Sequence, residues 1–221
     1  MLLVTRVRRT GRLERCSGYG SGVQPHQRDH RHDIVTAAAA ILDNYGIADL
    51  TMRRLARELG VSPGALYWHF ADKQQLLGAV ADRVLQPVST SADAADWRQL
   101  AITVCTQMHD ALLSHTDGAE LVAASFAAGQ SQRVVAILRV LAQAAGLAGL
   151  GTEQAALAAR SLVYYVLGAT IDEQSRLQFD AAGALAHGTA FSPTAVPAAD
   201  FAFGLRLLID GVAVHGGVPV S

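Results

Sequence analysis

The 221-residue sequence has few charged, aromatic and cysteine residues, and these shortages exclude several classes of protein. Only 17% of residues are charged and 51% are hydrophobic, which is typical of a globular chain and not of a disordered one. Two cysteines, Cys16 and Cys105, cannot form a disulfide framework and are expected to be free thiols. The longest apolar run, near residues 162–171, is about half the length of a membrane span. No sustained apolar segment follows the basic start, so the chain is expected to be cytoplasmic.

Patterns that carry enzyme or metal chemistry are also missing. The glycines of residues 18–22 do not follow a strand, so a nucleotide-binding loop is not indicated. His26, His30 and His32 cluster near the N-terminus, but no cysteine or carboxylate array completes a metal site. There is no nucleophile elbow, phosphate loop or paired acid and base. We therefore expect a protein that is not an enzyme and that holds no metal or cofactor.

The charge that is present is distributed unevenly. Residues 1–85 carry twelve basic side chains against eight acidic ones, whereas residues 86–221 carry six against eleven. A basic front half is typical of a module that binds a polyanion. Residues 1–30, rich in arginine, glycine and serine, are predicted to be a disordered basic extension. Three interpretations remain open: an arm that contacts DNA, a solvated tail without a role, and translation from a start codon placed too far upstream.

From His32 onward the sequence shows helical periodicity and no β alternation, which predicts an all-α fold. The first helix is expected to end at Gly46. Thr51, Ser62 and Asp72 are suitable N-caps for the next three helices. The remaining helices are predicted at 94–115, 118–128, 131–146, 153–177 and 199–214.

The most informative segment is LTMRRLARELGVSPGALYWHF, residues 50–70. It contains two short capped helices separated by residues 59–61, which is the spacing of a helix-turn-helix. Thr51 can donate its hydroxyl group to a DNA phosphate. The small residues that open the second helix allow close approach to base edges, and the polar tips at its end can reach phosphates. Taken singly, Leu66 and Phe70 are interpreted as core residues.

Residues 33–85 resemble the DNA-binding domain of the TetR family of transcriptional regulators. The matching segments are AAAAILDNYG, LTMRRLARELGVSPGALYWHF and ADKQQLL. Further along, ALLSHTDGAEL, YVLGATIDEQ and FAFGLRLLIDGV are similar to segments of the ligand and dimer domain of the tetracycline repressor. The resemblance implies an N-terminal three-helix DNA-binding domain at 31–77 and a helical effector-binding and dimerisation domain at 78–216.

The resemblance further implies a ligand-responsive repressor that binds a palindromic double-stranded DNA operator and is released by an apolar small molecule. Helices 153–177 and 199–214 are expected to pair in a homodimer, with Gly204 and Gly211 allowing close approach. The alternatives are an activator or co-repressor-dependent regulator of the same fold, and a helical interaction protein without specific DNA binding. The implied DNA-binding residues are Thr51, Arg53, Ser62, Pro63, Gly64, Ala65, Tyr67, Trp68, His69 and Lys73.

The implied effector site differs from that of the tetracycline repressor. Where that repressor holds its drug and magnesium, this chain has about Val104, Met108 and Val122, which cannot ligate a hard cation. Asp172 is a lone carboxylate, so we expect no binding of tetracycline with magnesium. The pocket should instead be mainly apolar, although the same residues also suit an ordinary core. Its predicted lining is Val104, Met108, Leu112, Val122, Phe126, Leu138, Tyr164 and Leu167.

Overall fold

The computed structural model describes residues 25–91, 96–181 and 197–217, and every regular element within these ranges is helical. This confirms the predicted all-α fold. In addition to a 3-10 helix at Ile47–Asp49, the α-helices are α1 (Pro25–Tyr45), α2 (Met52–Glu58), α3 (Pro63–Tyr67), α4 (Lys73–Val84), α5 (Trp97–Leu113), α6 (Gly118–Ala127), α7 (Gln132–Leu147), α8 (Thr152–Ala181) and α9 (Pro197–Gly216).

Helix α1 begins earlier than the sequence pattern indicates. Its first residue is Pro25, a position at which the missing N–H of proline is not needed by the helix. The segment 25–32 is polar, so it lacks the apolar periodicity that marks the rest of α1. Residues 25–30 of the predicted extension are therefore helical, which corrects its boundary. Residues 1–24 lie outside the described part of the chain.

Helices α2 and α3 form the helix-turn-helix. The Thr51 hydroxyl oxygen accepts a hydrogen bond from the backbone N–H of Arg54 at 3.1 Å and caps α2. Gly60 forms the turn with φ of 66°, a left-handed conformation that glycine adopts at little cost. Helices of one or two turns are not stable alone, so both depend on the apolar core in which Leu66 and Phe70 are buried together with residues of α1 and α4.

Helix α4 connects the DNA-binding helices to the rest of the chain. It packs against α1 of the DNA-binding region and against α6 and α7 of the C-terminal region. A Cβ at Gly78 would lie 2.4 Å from the backbone oxygen of Gln130, so the α6–α7 turn approaches α4 closely. The Arg133 guanidinium donates to the carbonyl oxygens of Leu85 and Val88 at 3.2 and 2.7 Å. The C-terminal end of α4 is therefore fixed by α7.

The C-terminal helices surround a continuous apolar core. The most extensive contact is between α7 and α8, and α5 packs against α6, α7, α8 and α9. The helix bounds agree with the sequence prediction to within a few residues, because caps and turns mark most of them. Ser131, for example, caps α7 by accepting from the N–H of Val134 at 3.1 Å.

Within the described ranges, no single helix is both long and apolar enough to cross a membrane. Helices α6 and α7 meet the criteria of length and composition only as a pair, and this pair is bent by 83°. Much of the apolar surface of both helices lies in the protein core.

Candidate DNA interface and effector region

The predicted DNA-binding residues lie outside the core of the helix-turn-helix. Tyr67 is 52% exposed and Trp68 is 87% exposed, whereas the flanking Leu66 and Phe70 are fully buried. This confirms that Leu66 and Phe70 are core residues and leaves Tyr67 and Trp68 facing outward. Of the predicted set, Thr51, Arg53, Ser62, Pro63, Gly64, Tyr67, Trp68 and Lys73 are exposed, and Ala65 and His69 are half-buried.

The two adjacent arginines of α2 have different environments. Arg54 donates to the Asp49 carboxylate at 2.6 Å, and its guanidinium carbon lies 3.7 Å from the centroid of the Tyr45 ring. These contacts hold Arg54 inside the domain. Arg53 is exposed, as a residue that meets DNA must be. The structure thus separates two side chains that the sequence places next to each other.

Helix α1 contacts the C-terminal end of α3. The Arg31 guanidinium donates to the carbonyl oxygen of His69 at 2.6 Å, and its central carbon lies 4.1 Å from the centroid of the Phe70 ring. The rings of His30 and His69 are 6.3 Å apart. Sequence reasoning missed Arg31, because it lies in the polar first part of α1 that carries no periodic signal.

The turn between α5 and α6 contacts the DNA-binding helices. Nδ1 of His115 lies 2.9 Å from the Asp43 carboxylate, and the Thr116 hydroxyl donates to the Asp43 carbonyl oxygen at 2.9 Å. The backbone N–H of Ile47 donates to Oδ2 of Asp117 at 2.9 Å. This turn therefore holds both the end of α1 and the 3-10 helix that precedes α2.

Asp117 is also attached to α8. Its other carboxylate oxygen accepts from the Gln178 amide at 2.7 Å. Its φ of 51° is in the left-handed region, where a residue other than glycine is uncommon. Gln174, one turn earlier on α8, donates to the carbonyl oxygens of Leu112 and His115 at 3.0 and 2.7 Å. One side of α8 therefore holds the turn that contacts the DNA-binding domain.

Most of the predicted effector-site residues lie in or against one apolar core formed by α5–α8. Val104, Met108, Leu112, Val122 and Leu167 are buried, and Phe126 and Leu138 pack against them from partly exposed positions. Tyr164 is placed differently, since it is 52% exposed, although its ring centroid lies 5.5 Å from that of Phe126. The structure thus brings these residues together in one region of the core.

Ser125 on α6 is a buried polar residue that the sequence pattern did not reveal. It is fully buried, and its hydroxyl group has no hydrogen-bond partner among the residues that the structure describes. In contrast, Ser161, Thr170 and Ser175 on α8 each donate to the carbonyl oxygen four residues earlier. A buried hydroxyl without a partner is unfavourable.

The other buried polar groups of the effector region have partners. Nε2 of His109 lies 2.9 Å from the Glu173 carboxylate, and the His109 ring stacks on Phe201 with centroids 4.0 Å apart.

Burial raises the pKa of the Cys105 thiol to about 12, so this cysteine is protonated and unreactive at neutral pH. Burial, reinforced by the nearby Asp200 carboxylate, also raises the pKa of Tyr165 above its ordinary value. In the part of the chain that the structure describes, no three metal-ligating side chains gather.

Comparison with known proteins decides the family. Residues 34–80 match the model of the tetR family of bacterial regulatory proteins, and residues 90–195 match the tetracyclin repressor-like C-terminal domain. The class A tetracycline repressor from transposon 1721 of Escherichia coli is 35% identical over 196 residues, covering 81% of this chain and 88% of the repressor. The chain belongs to the tetR family. As a member, it is a DNA-binding transcriptional repressor and not an enzyme.

Solved structures of other tetR-family regulators share this fold. The crystal structure of BioQ from Mycobacterium smegmatis is 56% identical, covers 85% of this chain and 99% of its own, and gives a TM-score of 0.78. A structure of BioQ with its natural double-stranded DNA operator is 53% identical, covers 84% and 99%, and gives a TM-score of 0.73. These similarities confirm a helix-turn-helix domain joined to a helical C-terminal domain.

Members of the tetR family act as homodimers, and the structure leaves an apolar face exposed on the last two helices. The α8 residues of this face recur at seven-residue intervals, the spacing of a helix–helix seam. Gly204 also lies close to α8 of the same chain, because a Cβ there would overlap the Tyr165 hydroxyl. The exposed face comprises Leu157, Tyr164 and Ile171 of α8 and Phe203, Leu207 and Val214 of α9.

Proposed function

We propose that the chain is a cytoplasmic homodimer that binds a palindromic operator in its ligand-free form and releases it when an apolar small molecule binds in the effector domain. The observation that carries this proposal is the 53% identity, over 84% of the chain, with BioQ bound to its natural operator. The exposed end of α3 supports this proposal, since Tyr67 and Trp68 are exposed next to the buried Leu66 and Phe70. These side chains can reach phosphates while the small residues of α3 approach the bases.

The apolar face of α8 and α9 supports the dimer. One short recognition helix buries too little surface for specific binding, so a second copy is required. Pairing of this face with its twin around a two-fold axis would place two copies of α3 on one side of the molecule. The matching half-sites on the operator would then be about one helical turn, ~34–36 Å, apart.

Release of DNA requires that the effector domain and the helix-turn-helix move together. The structure offers two connections for this purpose. One runs from α8 through Asp117 to Ile47. The other runs from the α6–α7 corner to α4, through Arg133 and the close approach at Gly78. A ligand that binds one arrangement of these contacts more tightly than the other shifts the dimer away from operator spacing.

The chemistry of the buried region suggests the kind of effector. Val104, Met108 and Val122 offer only apolar surface, so the ligand should be mainly apolar. The unpartnered hydroxyl of Ser125 calls for one hydrogen-bonding group on that ligand. Tetracycline with magnesium does not fit, because no ligand for a hard cation is present at these positions and Asp172 is exposed and paired with Arg176.

Fluorescence anisotropy with labelled BioQ operator and a scrambled duplex tests the proposal. Tight binding to the operator, at two protomers per palindrome, should weaken steeply between about 50 and 200 mM salt, because several phosphates are contacted. Tetracycline with magnesium should leave the affinity unchanged. Equal weak binding to both duplexes would favour a regulator that needs a co-ligand or reads another operator. No binding at low salt would favour an interaction protein and overturn the proposal.

A further inference from the structure

The recognition helix is too short to fix its own orientation. Helix α3 spans only Pro63–Tyr67, and the residues that follow it leave the helical pattern before α4 begins. A single helical turn is not stable without tertiary contacts. The N-terminal part of α3 is attached to α2 through the turn at Gly60. Its C-terminal part carries the outward-facing Tyr67 and Trp68, so a separate contact is needed to hold this end.

Arg31 supplies such a contact from 38 residues away. Its guanidinium donates to the carbonyl oxygen of His69 at 2.6 Å, which is a short, charge-assisted hydrogen bond. The same guanidinium lies over the ring of Phe70, 4.1 Å from its centroid. Because Phe70 is fully buried, this ring is a fixed support. Arg31 is thereby held between the core and a carbonyl group two residues beyond the end of α3.

We propose that Arg31 is a positioning residue for DNA recognition, which fixes the segment 67–69, where α3 ends, relative to α1. This inference rests on the proposed DNA-binding function. If the end of α3 moves, the phosphate-contacting tips move relative to the base-reading residues that precede them. Specific binding needs both sets at once, whereas non-specific binding needs only charge. Loss of Arg31 should therefore reduce discrimination between operator and random DNA more than it reduces affinity for random DNA.

A lysine at position 31 is expected to preserve the role of Arg31 only in part. A lysine can donate to the His69 carbonyl group, but its ammonium group is a compact charge that does not stack on an aromatic ring as a planar guanidinium does. The Arg31→Lys variant retains the charge and the Arg31→Met variant removes it, while both keep a long aliphatic stem. Arg139→Met is a matched control, because Arg139 is exposed on α7 in the other domain.

The first measurement is the affinity of the full-length variants for the BioQ operator and for a random duplex at two salt concentrations. Arg31→Met should lower the operator-to-random affinity ratio about tenfold, the effect of losing one charge-assisted hydrogen bond. The ratio for Arg31→Lys should lie between those of Arg31→Met and the unmodified protein. The ratio for Arg139→Met should equal that of the unmodified protein. The slope of affinity against salt should stay the same. An equal loss for both duplexes, with a slope smaller by about one, would mean that Arg31 binds a phosphate directly and would overturn the inference.

A second measurement needs no DNA. In a Trp97→Phe background, Trp68 is the remaining tryptophan and reports on the end of α3. Arg31→Met should lower the steady-state fluorescence anisotropy of Trp68 because this end becomes mobile, while the midpoint of thermal unfolding stays within a few degrees. Unchanged Trp68 anisotropy in both Arg31 variants would overturn the inference. If the unmodified protein does not prefer the BioQ operator, the proposed function fails, but this measurement still decides the role of Arg31.

Discussion

In the DNA-binding region the proposed DNA-contacting side chains lie outside the core, whereas in the effector region most of the proposed ones lie within it. Trp68 is 87% exposed, but Val104 is fully buried. A surface residue can therefore be changed in the first region with little effect on folding. A change in the second region alters folding and function together. This difference decides which experiments can separate the two properties, and α4 and the 115–117 turn are the places where the regions meet.

The sharpest test of this comparison uses two aromatic residues of the same segment. Phe70→Ala removes a fully buried ring and should lower the free energy of unfolding by about 3–5 kcal/mol. Trp68→Ala removes an exposed ring and should leave unfolding nearly unchanged while DNA affinity falls. Urea denaturation and DNA anisotropy measure the two effects. If Trp68→Ala destabilised the protein as much as Phe70→Ala, the outward placement of Trp68 would be wrong.

The contact between the two regions should fail when Asp117 is replaced. Asp117→Ala removes the acceptor for the Ile47 N–H and the Gln178 amide, and should cost about 2 kcal/mol of unfolding free energy. Asp117→Asn should cost less, because asparagine accepts a hydrogen bond and tolerates the left-handed conformation. Glu120→Ala, exposed on α6, is the control. Equal stability of the two Asp117 variants would show that the hydrogen bond to Ile47 is unimportant.

A smaller effect, confined to DNA binding, is expected at Lys73. Lys73 is exposed at the beginning of α4, so Lys73→Gln should not change the urea midpoint. It should weaken binding to operator and random duplexes alike, by about tenfold, and lower the salt slope by about one, as the loss of one phosphate contact requires. Arg139→Gln provides the same charge change in the other domain. A selective loss for the operator would assign Lys73 a role in base reading instead.

The sequence predicts best those features that depend on neighbouring residues. The cap at Thr51 and the turn at Gly60 are local, so the helix-turn-helix could be placed to within a few residues. Leu66 and Phe70 could be assigned to the core as apolar residues four positions apart, although Phe70 lies beyond the end of α3. The alternating buried and exposed residues around them then predict which side chains face DNA.

Features that join distant parts of the chain could not be predicted in this way. The Arg31–His69 contact spans 38 residues and the Ile47–Asp117 contact spans 70. Nothing near Asp117 in the sequence distinguishes it from any other acidic residue in a turn. The proposed effector residues were predicted as an apolar set, but apolar periodicity is the same for a pocket and for a core. Only the three-dimensional structure shows which buried group lacks a partner.

Ser125 provides the finest test of the comparison. Replacing a buried residue usually lowers stability, whereas replacing Ser125 is expected to raise it. Ser125→Ala removes a buried hydroxyl without a partner in the described structure, so the ligand-free protein should become more stable by about 1 kcal/mol. Thr170→Val, which removes a partnered hydroxyl of the same core, should not stabilise it. Chemical denaturation of both variants measures this contrast. A destabilised Ser125→Ala protein would mean that the hydroxyl is already satisfied without a ligand, and the polar anchor proposed for the effector would have to be sought elsewhere. Stabilisation with unchanged operator affinity would instead show that this serine is kept at a cost to folding, as expected of a residue that serves a ligand.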